Sequence, residues 1–163
     1  SKLDGAAKEC GVGRNSYEQI VVTINSFMWD MLKAMGDGRD QFSVFKLYEA
    51  GMRQYVQHAK QVFPKATIVW KSATEVHPIN PNCVELLHEE DWEDMYQCYM
   101  KTKYMSRSRG QLLRDIGTQI VESEGIEQLD HYTVAFHNID SVPDGRHPSP
   151  ALNAATWKSW LLP

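Results

Sequence analysis

The run IVVTIN (20–25) constrains this chain more than any other segment. Continuous β-branched residues without polar alternation mark a strand buried on both faces, the situation inside a parallel sheet covered by helices. A second run of this kind, TIVWK, occupies 67–71, and a shorter strand, IEQLD, is predicted at 126–130. Between the first two, residues 42–63 repeat Phe45, Tyr48, Met52, Tyr55, Ala59 and Val62 at helical spacing, and Pro64 ends the pattern. Helical periodicity returns over 91–104 and over 109–123, the latter through Leu112, Leu113, Ile116, Ile120 and Val121, and a last helix is expected at 149–161. Residues 26–38 read as a loop and short helix closed by Gly36 and Gly38. Residues 1–19, 72–91 and the stretch from 131 to the last helix read as loops, the first with room for one helical turn.

Strand and helix therefore alternate, which predicts an α/β fold with a parallel sheet and helices on its faces. The length of 163 residues suits one domain with a proper core, spanning 1–163 with a loop-rich lead-in over 1–19. Three strands are few for such a sheet. IVVTIN would be a bare apolar edge with nothing beside it, so a further strand is expected, from this chain or another.

Composition removes several classes of function. The net charge is −4 and no stripe of Lys or Arg exists, which argues against nucleic acid as partner. No apolar run reaches the ~20 residues of a membrane helix. The opening SKLDGAAKEC lacks the apolar segment of a signal peptide, and its start at Ser rather than Met leads us to expect that something preceded it. Cys10, Cys83 and Cys98 are an odd number with no zinc spacing: either idle thiols, or one bridge plus a cysteine joined to another chain. Cys83, His88, His131 and His137 likewise match no metal pattern, so neither metal nor cofactor is expected. Trp29, Trp70 and Trp157 are expected in the core rather than stacked on a cofactor.

The segment SVPDGRHPSP (141–150) carries the most pointed chemistry. Asp144 and His147 flank a turn that Gly145 permits, so both side chains can reach one pocket. There a histidine takes a proton from a serine hydroxyl while a carboxylate holds its tautomer. The plainer reading is a turn followed by a surface histidine. Asn25 ends the first strand, where an α/β sheet binds ligands, and its amide can donate to an oxyanion. It can equally cap a helix starting near Ser26. His77 and Asn80, in the loop after the second strand, are candidates for lining a substrate cleft or for simple turn hydrogen bonds.

In order, INSFMWDML, IVWKSATEVHP, SRSRGQLLRDIG, LDHY and DGRHP resemble the SGNH (GDSL-like) hydrolases, in particular the PC-esterase branch, over roughly residues 20–160. The resemblance implies a three-layer α/β/α, flavodoxin-like fold carrying ester hydrolysis or acyl transfer, on acetyl esters of glycans or lipid-like esters. It puts the family's Asp and His on Asp144 and His147 and its oxyanion-hole Asn on Asn25.

The family's Gly-Asp-Ser block is absent. The GDG at 36–38 lies after Asn25 and has no serine, and Ser1, Ser16 and Ser26 lack the flanking glycine and aspartate. The first strand of the fold is absent with it. The resemblance thus implies the C-terminal portion of the domain, with the serine on a separate N-terminal polypeptide held by strand pairing or through a cysteine such as Cys10, and a secreted or secretory-pathway setting. Two other readings stand beside it. One is a non-catalytic SGNH-fold binding or structural protein. The other is an unrelated α/β domain in which Asp-Gly-Arg-His is a coincidence.

Overall fold

All three predicted strands form, and they are parallel. β1 is Val21–Ile24, β2 is Thr67–Lys71 and β3 is Glu127–Leu129, in the spatial order β1-β2-β3. The computed structural model describes residues 4, 5, 8, 20–26, 41–74, 106–142 and 147–161. Among these, four helices accompany the sheet: α1 (Gln41–Val62), α2 (Arg107–Ser123), α3 (His131–His137) and α4 (Pro150–Leu161). The elements expected at 26–38 and 91–104 lie outside the described residues.

Strand order decides the layers. Right-handed crossovers between strands added in one direction put both crossover helices on the same face. Register pairs Val22 with Ile68 and Ile24 with Trp70, so these side chains share that face with α1 and α2. They form the main core with Tyr48, Met52, Val56 and Ala59 of α1 and Leu113, Ile120 and Val121 of α2. Trp70 is wholly buried there, and α2 passes over its ring at Gly117. Lys71, one residue on, faces the other way and meets α4: its Nζ donates to Asn153 Oδ1 at 2.7 Å. Glu127 pairs with Val69 and so lies on the α4 face, where its Oε2 accepts from Trp160 Nε1 at 3.1 Å. The architecture is therefore α/β/α in three layers.

The end of α2 shows how local sequence positions a strand. Gly125 takes a left-handed conformation (φ 64°), its N–H reaches Glu122 O, and the Ile126 N–H reaches back to Val121 O at 2.8 Å. This pair of hydrogen bonds is the Schellman stop, and the two residues it joins, Val121 and Ile126, both belong to the main core. β3 begins one residue later.

Two expectations need correction. IVVTIN is covered on one face rather than both: Ile24 is buried, whereas Val21 is 50% exposed and Thr23 is exposed. Among the described residues, α4 shields β2 and β3 on that face and nothing shields β1, whose outer edge carries no strand. The stretch after β3, expected as loop, starts with α3. Asp130 caps it by accepting from Thr133 N at 3.2 Å, and seven residues are too few to show a helical period. Of the tryptophans expected in the core, Trp70 is there, Trp157 is half-buried edge-on to Trp160, and Trp29 lies outside the described residues.

Candidate functional site at the carboxyl ends of the strands

A parallel sheet collects all its strand carboxyl ends at one rim, and this is where α/β sheets bind ligands. Asn25 follows β1, Lys71 ends β2, and Asp130 and His131 follow β3. Asn25 Nδ2 donates to Lys71 O at 2.8 Å, an exposed bond that bridges β1 and β2 just past their last paired residues. An amide nitrogen carries two hydrogens. One goes to Lys71, and the side chain itself stays on the surface.

The same Lys71 reaches α4 through Asn153, in the helix's first turns. Ser149 caps that helix, accepting from Leu152 N through Oγ at 3.2 Å and from Asn153 N through its carbonyl at 3.0 Å. Its own N–H donates to Ser141 O at 2.7 Å and closes the loop that holds His147. His147 is exposed and sits two residues before the cap. Lys71 thus links the residue after β1 to the helix that follows His147. Asp144, His77 and Asn80, like Cys10, Cys83, Cys98 and His88, lie outside the described residues.

The two serines that follow β1 and β2 at this rim are engaged elsewhere. Ser26 Oγ lies 2.9 Å from Tyr48 Oη, accepts from Trp70 Nε1 at 3.3 Å and donates to Met52 Sδ at 3.3 Å, so it belongs to the α1–α2 face. Ser72 is wholly buried, accepts from Tyr132 N at 2.8 Å and donates to Asp130 Oδ1 at 3.4 Å. Among the described residues neither hydroxyl has a histidine as partner.

The LDHY block holds the rim's strongest electrostatics. Burial alone would push the Asp130 carboxyl up. Hydrogen bonds from the Thr133 hydroxyl at 2.6 Å, Arg114 Nη2 at 2.6 Å and Thr133 N outweigh it and hold the carboxyl below its usual value. His131, next in sequence, is wholly buried, with Nδ1 3.0 Å from Thr156 Oγ1. Burial, reinforced by the positive charge of Lys71, lowers its pKa to about 4, and Asp130 offsets this only in part. It is a neutral imidazole at neutral pH. Its Nε2 is a buried nitrogen without a hydrogen-bond partner among the described residues. His131, Lys71 and Asn153 were not legible as rim residues, because nothing local marks which side chains a fold gathers there.

Among the described residues no group of three or more His, Cys, Asp or Glu could hold a metal ion, and no helix is long and apolar enough to cross a membrane. A cavity of about 400 Å³, lined by residues including Lys60, Phe63, Thr67, Gly125 and Glu127, opens at the opposite, amino end of the strands. Lys60 is committed there to Glu124, through Oε2 at 3.0 Å and through the backbone carbonyl. We regard the carboxyl rim as the candidate site.

No protein-family model and no curated protein matches the sequence. Among solved structures, the chain is similar to LAE5, an alpha/beta hydrolase enzyme from the metagenome of Lake Arreo, Spain, with a TM-score of 0.56 and 13% identity. The match covers 96% of this chain and 66% of that one, so this chain spans just under two thirds of its neighbour's length. At that identity the likeness is one of fold.

Proposed function

We propose that this chain is the His- and Asn-bearing part of a serine ester hydrolase or acyl transferase of SGNH type, PC-esterase branch, acting on an O-acyl ester such as an acetyl ester. The observation that carries the reading is the double tether on Lys71. Asn25 Nδ2 on its carbonyl and Asn153 Oδ1 on its ammonium draw the end of β1 and the start of α4, just after His147, toward one strand end. The likeness to an alpha/beta hydrolase supports a hydrolase-like fold and leaves the SGNH branch to the residues named above.

In this reading a serine hydroxyl attacks the acyl carbonyl while His147 takes its proton. Asp144 orients the imidazole, and Asn25 donates its second amide hydrogen to the oxyanion. His147 then returns the proton to the leaving alcohol. Water, or an acceptor hydroxyl, releases the acyl group in the second half by the same route. His77 and Asn80 line the substrate cleft. The serine comes from a second, N-terminal polypeptide whose strand pairs with the open edge of β1, where Val21 stands exposed.

A fluorophosphonate probe on the native assembly tests this, with intact mass read before and after reduction. We expect a labelled partner polypeptide and loss of ester turnover in His147→Ala with the fold retained. No labelled serine, or unchanged turnover in the variant, removes the reading. One observation favours the alternative of a non-catalytic SGNH-fold binding or structural protein: the rim serines Ser26, Ser72 and Ser149 are all engaged in structural hydrogen bonds. An unlabelled 163-residue species would establish that alternative in its place.

A further inference from the structure

Lys71 is a half-buried ammonium that donates to a neutral oxygen, Asn153 Oδ1, at 2.7 Å. Among the described residues no carboxylate lies within ion-pair distance of it, and burial pulls its pKa down without an opposing charge. Desolvating a cation without a counter-charge is costly, and folded proteins ordinarily pair it. The contrast is close at hand: Arg114, at the same rim, is paired with both Asp115 and Asp130.

The Lys71 bond also orients its neighbour. An ammonium only donates, so Asn153 must present Oδ1 to it and turn Nδ2 away as a further donor. Both side chains are partly open to solvent. Among the described residues, two of the three ammonium hydrogens and both amide hydrogens are left for an acceptor. The pair is, among the described residues, a donor-only cluster carrying one positive charge without a counter-charge.

We infer that Lys71 and Asn153 form an anion subsite that takes a small carboxylate. Its identity as the acid released from the ester rests on the function proposed above. One positive charge matches a monoanion, and the amide beside the ammonium supplies a donor for the second carboxylate oxygen. The bound acid would stand beside the bridge from Asn25 to the Lys71 carbonyl.

Acetate titrated into the full chain, with chloride replaced at constant ionic strength and side-chain N–H signals followed by NMR, tests the inference. We expect saturable shifts at the Asn153 amide and near Lys71. Binding should weaken by about tenfold or more in Lys71→Met, the loss of one charge-assisted contact, and persist in Lys71→Arg. Asn153→Asp supplies an internal carboxylate, so it should abolish acetate binding and raise Tm by about 2–4 °C. It keeps the test decisive if Lys71→Met does not fold. Equal shifts with chloride, unchanged binding in Lys71→Met, or acetate binding that survives Asn153→Asp each overturns the subsite. Fluorophosphonate labelling without acetate binding removes the subsite and leaves the hydrolase reading. Acetate binding without labelling does the reverse.

Discussion

His131 Nδ1 donates its hydrogen to Thr156 Oγ1, because that hydroxyl spends its own proton on Leu152 O at 2.9 Å and can only accept from the ring. The contact joins the start of α3 to the buried side of α4 and assigns the tautomer. It leaves Nε2 as a buried lone pair.

Stability should therefore fall as the medium is acidified through the mildly acidic range. The folded pKa of His131, about 4, lies below the ordinary value of 6.5, so the unfolded chain binds the extra proton first. The stabilisation is complete above about pH 6.5 and lost progressively down to about pH 4, a change of roughly 3 kcal/mol. Urea unfolding at several pH values measures it. His131→Asn, which keeps a donor for Thr156, should flatten the slope in this window, and an unaltered slope would refute the assignment.

A carboxyl acts lower on the scale. Asp130 is held below its usual pKa, so its contribution is present above about pH 4 and disappears as pH falls further. Asp130→Ala removes the α3 cap and the Arg114 partner together, and we expect a loss of about 1–2 kcal/mol at neutral pH. Equilibrium unfolding of the variant at neutral pH is the check.

Gly117 is required by the size of Trp70. A Cβ there would stand 2.6 Å from Trp70 Cζ2 and 2.7 Å from Cη2, inside any tolerable contact. The ring is wholly buried, so Gly117→Ala should cost about 1–3 kcal/mol through overpacking despite the better helix propensity of alanine. Trp70→Phe vacates that space, so a double-mutant cycle should return a favourable coupling above about 1 kcal/mol. Simple additivity would mean that α2 shifts freely over the sheet.

Gly125 meets no neighbour that a Cβ would touch, yet its φ of 64° disfavours every other side chain. Gly125→Ala should cost about 1 kcal/mol, with Gly125→Asn milder, since asparagine tolerates the left-handed region. Thermal unfolding distinguishes this from a purely steric position, where alanine would be neutral.

The strands at 20–25, 67–71 and 126–130 and the helices at 42–63 and 109–123 were legible because burial imposes its pattern locally, whereas the helix at 149–161, which buries Leu152 and Thr156, carries no clear amphipathic period. Their observed limits, such as Thr67–Lys71 and Arg107–Ser123, differ by few residues. Asp144-x-x-His147 and Asn25 were legible as candidate chemistry for the same reason: each is a residue type at a turn or strand end. The amide of Asn25 was not, since capping and an oxyanion were its local options, while its described partner lies 46 positions away. His131 was read as a histidine without metal spacing, and only the packing of α4 against β3 makes it a neutral, buried acceptor. Lys71 closes an otherwise apolar strand. Nothing within TIVWK says that its ammonium will meet Asn153, 82 residues on. Sequence by itself determined which segments hide from water, because hydrophobic spacing is a property of neighbours along the chain. Which polar groups meet at the rim, and with what charge left over, was decided by strand order and helix placement, which are properties of neighbours in space.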